Sequence, residues 1–194
     1  MNELVFSELK KEFPFVENRE SKDCLSVNIP ANEVVDFFTR IKTNYDFDLL
    51  SNIAGVDWGA STVPRFGAFY HLYATHHHQY LRVYTACEGK ECSIASIVSI
   101  FPSANWHERE VFDMFGISFS GHPNLKRILM WEEYPYHPLR KDFPLCGKEA
   151  PYFAPDIVAE TKLNVTPAPM CGGPFHAIYK GSIRHSEPTG FDEN

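Results

Sequence analysis

Two acids flank an arginine at Glu108-Arg109-Glu110. Asp113 follows, and the run Arg140-Lys141-Asp142 closes the same stretch. Between them stand Gly116, Arg127 and two His-Pro pairs, His122-Pro123 and His137-Pro138. These residue types can move protons, hold metals or grip anions. Glu108 and Glu110 would suit a general acid and base, but residues two apart on a helix point to different faces and cannot flank one bond. Glu108 reads instead as the far half of a capping box whose N-cap is Asn105, and Glu110 as a salt-bridge partner. Arg109 and Asp113 are four apart and predict a surface pair worth a few tenths of a kcal/mol. A residue before proline is held extended, so each His-Pro pair gives its imidazole a fixed direction. The reading preferred for His122 and His137 is a hydrogen bond to a neighbouring loop, ahead of proton handling. Arg127, Arg140 and Lys141 could seat an anion, but Glu132, Glu133 and Asp142 stand beside them. Arg–carboxylate forks across a protein interface suit that mixture better. Trp131, Tyr134 and Tyr136 supply interface anchors.

Other chemistry is weaker. His76 to His78 are consecutive in an expected turn, and neighbouring side chains there cannot converge on one ion. His107-Glu108 opens an H-E-x-x-H pattern, but Val111 stands where the second histidine belongs. Five cysteines (Cys24, Cys87, Cys92, Cys146, Cys171) form no C-x-x-C pair, which predicts reduced thiols and no cluster. The sequence has no dinucleotide fingerprint, Walker loop or nucleophile elbow.

The elements that must position this stretch follow from periodicity. Leu4, Val5, Leu9 and Phe13 predict a first helix closed by Pro14. Residues 24–29 alternate as a half-buried strand. Val34, Phe37, Phe38 and Ile41 mark a helix. Phe47 and Leu49 open a strand that ends in a breaker-rich turn from Gly55 to Pro64. Residues 66–74 and 79–87 predict an antiparallel hairpin around Thr75 to His78. Ile94, Ile97, Val98 and Phe101 predict a helix over 93–101, stopped by Pro102. A further helix is expected over 106–115, with Gly116 as its left-handed C-cap. The fold class is therefore α+β: an antiparallel or mixed sheet with helices on one face, plus a long irregular C-terminal arm. Residues 1–145 form the expected domain. Residues 146–194, rich in proline and glycine yet still apolar in places, form an extended arm; docking on a partner is the reading preferred over a surface loop that folds back on its own domain.

A net charge of −7 excludes a basic field for nucleic acid, and 44% hydrophobic residues suffice for a core. The N-terminus mixes acids with lysines and carries no apolar targeting core. No run reaches membrane-spanning length, so contact with a membrane is expected only through a complex.

The order and spacing of Glu108-Arg109-Glu110, Asp113-Met114-Phe115-Gly116-Ile117, Gly121-His122-Pro123, Arg127-Ile128-Leu129 and His137-Pro138-Leu139-Arg140-Lys141-Asp142, with Pro144-Leu145, resemble the C-type, 30 kDa subunit family of the respiratory NADH:quinone oxidoreductase, complex I. Tyr136 is a departure: the family usually has glycine there. The resemblance implies a non-catalytic structural subunit of the hydrophilic arm. It would pack beside the D-type subunit near the quinone module, on the cytoplasmic side of the membrane. It implies that flavin (FMN), iron–sulfur clusters and quinone are held by other subunits, with no catalytic, metal or cofactor residue here. Similar subunits serve energy-converting hydrogenases and the plastoquinone-reducing complex. A free-standing metalloenzyme using His122, His137 and a carboxylate, and a small adaptor working outside any redox complex, are the remaining alternatives.

Overall fold

The computed structural model describes residues 2–87 and 92–144, and the backbone of two later strands. It divides into two compact units, Met1–Glu132 with Leu139–Lys141, and Glu133–Pro138 with Asp142–Asn194.

In the first unit, α1 (Asn2–Glu12) is followed by a short strand β1 (Glu17–Asn18) and by β2 (Leu25–Ile29). A 3₁₀ turn leads into α2 (Val34–Asn44), which buries Val34, Phe37, Phe38 and Ile41 as their spacing predicts. Then come β3 (Leu49–Asp57), β4 (Phe66–Ala74) and β5 (Gln79–Cys87). The hairpin matches its expected bounds: β4 pairs antiparallel with β5 from Phe66↔Cys87 to Ala74↔Gln79. The sheet order is β1-β2-β5-β4-β3. β2 runs parallel to β5 because α2 carries the chain over the sheet to the far edge. The sheet is thus mixed and the class α+β.

One sheet face carries Val27, Ile53, Ala68, Tyr70, Leu72, Leu81 and Val83 into the core. Phe38 packs on Tyr70 with ring centres 4.8 Å apart, and Phe13 of the α1 end packs on Phe37 at 5.0 Å. Between these two helices, Glu12 accepts hydrogen bonds from Arg40 at 2.7 Å and from the Tyr45 hydroxyl at 2.6 Å. The helices therefore share one face, as expected.

Four local expectations are corrected. The strand at 24–29 is more buried than half, because Ser26 is enclosed as well as its apolar neighbours. The turn expected from Gly55 begins later, since β3 continues through Asp57. The helix expected over 93–101 is absent. Ser93–Ala95 is a strand, β6, pairing parallel with β7 (Ser118–Ser120), and a tight turn follows in which Ile100 and Phe101 donate to the Ile97 carbonyl. Ile94, Ile97 and Phe101 are buried anyway, so strand and turn meet the same apolar spacing that a helix would. Finally, the Cys87 and Cys92 sulfurs are bonded to each other, where reduced thiols were expected. The end of β5 and the start of β6 bring their Cα atoms to 5.2 Å, within disulfide reach. Cys24 is a free thiol.

α3 (Ala104–Phe115) starts two residues before its expected position and ends at Gly116, whose φ of 73° is the left-handed cap. It lies on β3 at Gly55, where a Cβ would stand 2.5 Å from a Phe115 ring carbon. In the second unit, Tyr136 meets Tyr134 edge-on at 5.6 Å and Phe143 at 5.8 Å. Phe175–Ile178 (β8) and Ser182–His185 (β9) pair antiparallel. The expected arm over 146–194 otherwise lies outside the described residues.

Candidate functional site

α3 and the chain after it place the charged residues singled out in the sequence, and most of them turn inward. Asp113 is fully buried. Its Oδ2 accepts the backbone N–H groups of Ile128 (3.0 Å), Leu129 (2.7 Å) and Met130 (2.9 Å), and its Oδ1 accepts from Arg127 Nη1. Burial alone would raise the carboxyl pKa. The three amides and the guanidinium outweigh it and hold the group below its ordinary value. Asp113 therefore shapes the 127–130 turn. The expected Arg109–Asp113 pair does not form, because Arg127 takes the carboxylate. Arg109 instead donates to the carbonyls of Lys126 (3.0 Å) and Arg127 (3.1 Å), with its guanidinium 5.2 Å from the Trp106 ring centre. The fork expected of Arg127 across an interface is thus used within the chain.

Glu108 is also fully buried, and it is not a cap. Oε2 accepts from Ser96 Oγ at 2.6 Å and Oε1 from the Ile97 amide at 2.8 Å. The capping-box expectation fails because α3 begins at Ala104, so position 108 lies one turn inside and faces the β6 turn. Burial pushes its pKa up to about 7, against the lowering pull of Ser96 and Ile97. The buried Tyr70 hydroxyl is pushed up by burial and by this carboxylate.

His122 is hydrogen-bonded, though to its own turn and to the first turn of α3, where a neighbouring loop was expected. Its Nδ1 accepts the Asn124 amide at 3.0 Å and its Nε2 lies 3.1 Å from the Asn105 carbonyl. Leu139 donates to the Met114 carbonyl at 3.1 Å and Arg140 Nε to the Phe115 carbonyl at 2.6 Å, so this segment closes the C-terminal end of α3. Arg140 also lies 5.0 Å from the Phe66 ring centre. Glu110, Pro123 and the Lys141 side chain are exposed. His137, Pro138 and Asp142 belong to the second unit, with Asp142 exposed.

Sequence reading missed the residue that ties the segment to the sheet. Asp57, buried at the end of β3, accepts from Gly59 N (2.8 Å), Arg65 Nε (2.8 Å) and Nη2 (2.7 Å), and the Lys141 amide (2.8 Å). The Arg65 fork holds its carboxyl far below the ordinary carboxylate range. An acid followed by Trp-Gly, with a Pro-Arg pair ending eight residues on, was the available signal. It looked like turn composition only.

Asp57, Glu108, Asp113 and His122 thus all engage backbone groups. Trp106, Leu129 and Leu139 are more than half exposed along the same stretch. Among the described residues no group of three or more His, Cys, Asp or Glu is placed to hold a metal ion. His77 lies near Asp46 and His78 near the Tyr73 hydroxyl, so these two neighbours turn to different partners. No helix among the described residues is long and apolar enough to cross a membrane.

Known proteins are similar to this chain in sequence and fold. The family model for the respiratory-chain NADH dehydrogenase 30 kDa subunit matches residues 27–149. The C-type subunit of the NADH-quinone oxidoreductase of Geobacter sulfurreducens is 36% identical over 143 residues, covering 73% of this chain and 88% of its own length. The combined C/D-type subunit of the same enzyme from Sulfurihydrogenibium sp. is 38% identical over 141 residues, and this chain spans only 24% of it. Among solved structures, a trypsin-resistant fragment of Nqo5 is 26% identical with a TM-score of 0.56, covering 64% of this chain and all of that one. A chain of the membrane-bound sulfane sulfur reductase, an archaeal respiratory membrane complex, has a TM-score of 0.65 at 22% identity and shares the fold.

Proposed function

The chain belongs to the respiratory-chain NADH dehydrogenase 30 kDa subunit family, and we propose that it is a structural subunit of the peripheral arm of an NADH-quinone oxidoreductase. It packs there beside the D-type subunit, on the cytoplasmic side of the membrane. The chemistry of NADH oxidation and quinone reduction resides on other subunits, which hold the flavin and the iron–sulfur clusters. This chain supplies a shaped surface and no catalytic centre.

The observation that carries this reading is the use of charge around α3. Asp113, Glu108, Arg109, Arg127 and His122 are all engaged with backbone or with each other. They make the segment rigid and leave Trp106, Leu129 and Leu139 facing outward, an apolar display typical of a docking surface. The Sulfurihydrogenibium relative supports the choice of partner, since its name joins the C and D types in one chain.

Native mass spectrometry after gentle membrane extraction tests the proposal. It should find this chain bound to a D-type subunit, with no metal or flavin on the chain when it is released. A monomer carrying stoichiometric metal, or one that turns over a small molecule unaided, would sink it.

A further inference from the structure

The sheet has a second face, which no helix among the described residues covers. Strand alternation places Asn28, Phe69, His71, Tyr73, Arg82 and Tyr84 on it, opposite the core residues of the same strands. An open groove of about 790 Å³ runs beside it, lined by Arg19, Ile29, Pro30, Trp58, Val63 and Tyr84 among others. Its floor is built. The Arg19 guanidinium lies 4.4 Å from the Tyr84 ring centre, 5.1 Å from Phe69 and 5.7 Å from Trp58. Trp58 Nε1 donates to the Tyr84 hydroxyl at 2.9 Å and Arg19 Nη1 to Asn28 Oδ1 at 3.2 Å. Each of these contacts limits how the guanidinium can turn.

Arg19 nevertheless has no carboxylate partner among the described residues, although Glu17 stands on the same rim. A stacked, preoriented cation left without a counter-charge in a chain of net charge −7 calls for an anion from elsewhere. One cation cannot hold a phosphate by itself, and Glu17 on the same rim opposes a doubly charged anion; apart from Glu17, Asn28, Thr62 and the Tyr84 hydroxyl the lining is mostly apolar. Val63 is 93% exposed and Trp58 38%. Trp, Tyr and Arg around an apolar rim are the residues that dominate protein–protein contacts. Trp58, on the groove wall, directly follows Asp57, the residue that holds the Lys141 amide.

We propose that this groove receives a carboxylate-bearing, otherwise apolar segment of the adjoining protein, with the carboxylate on Arg19 and the apolar side chains against Trp58 and Val63. This rests on the structural-subunit reading above and adds a second contact surface to it.

Photo-cross-linking in the assembled complex tests it. Benzoylphenylalanine is placed at position 63, at position 129 on the docking segment, and at position 35, an exposed site of α2 on the helix side, and adducts are mapped by mass spectrometry. The expected result is an adduct from position 63 to a partner peptide containing Asp or Glu, with none from position 35. Arg19→Gln should lower the position-63 yield by roughly tenfold or more, Arg19→Lys, which keeps the charge but not the stacked planar group, should fall between the parent and Arg19→Gln, and position 129 should be unaffected by either. Three results would overturn the proposal: no adduct from position 63 while position 129 cross-links, an adduct only to this chain or to a second copy of it, or a yield indifferent to Arg19→Gln. In the first of these the structural-subunit reading survives. Absence of any partner from the extract, with no adduct at either position, ends both.

Discussion

Three buried acids in this chain carry different electrical states because their neighbours differ. Asp57 and Asp113 receive arginine and backbone N–H groups, and both titrate below their ordinary value. Glu108 receives one hydroxyl and one amide against full burial, and titrates near 7. The sign of each follows by linkage. The depressed aspartates contribute stability that is present above the unfolded carboxylate value and lost as acid protonates them. Glu108, whose pKa is raised on folding, contributes stability that is complete below its unfolded value of 4.5 and lost as pH climbs through about 7. Glu108→Gln mimics the protonated side chain. Its stability relative to the parent chain should therefore rise between pH 5 and pH 8, by on the order of 3 kcal/mol. Denaturant titrations of both proteins across that range check this, and a difference flat in pH would refute the assignment. Sequence reading named Glu108 for the wrong reason. The motif Glu-Arg-Glu announces an unusual acid, but only the tertiary turn at Ser96–Ile97 shows what the acid holds.

At the scale of elements, most of the fold was legible where one periodicity had one solution. The α2 stripe and the β4–β5 hairpin came out with their expected faces and bounds. The stretch 93–101 did not. Its i, i+3, i+4, i+7 pattern spans only two turns, and a strand followed by a tight turn buries the same side chains. The deciding partner, β7, lies more than twenty residues away. Gly55 was misread for a related reason: glycine signals a turn, yet here it is a flat spot in β3 on which Phe115 and Val111 rest. Gly55→Ala should drive a methyl into the Phe115 ring and cost about 1–3 kcal/mol, the usual range for overpacking a core. The double variant Gly55→Ala with Phe115→Leu should recover part of that loss. Thermal melts of the single and double variants decide it; an unperturbed single variant would mean that α3 can slide on the sheet.

At the scale of the whole molecule, the segment after α3 separates two tasks that sequence alone runs together. Its arginines, Arg127 and Arg140, turn inward onto α3, and its leucines Leu129 and Leu139 stay exposed. The Leu139 main chain is held by Met114, and the Leu129 main chain by Asp113, so both are fixed whatever their side chains are. Replacing both leucines should therefore leave the fold nearly intact, since exposed side chains usually change stability by no more than about 0.5 kcal/mol each. Binding should respond very differently, because a carboxylate forced into an apolar interface is desolvated without a partner. Leu129→Glu with Leu139→Glu is expected to melt close to the parent chain yet fail to co-purify with the D-type subunit proposed as its partner. Loss of both properties would place these leucines in the core. Retention of both would move the docking surface elsewhere, with the groove around Arg19 the next place to look.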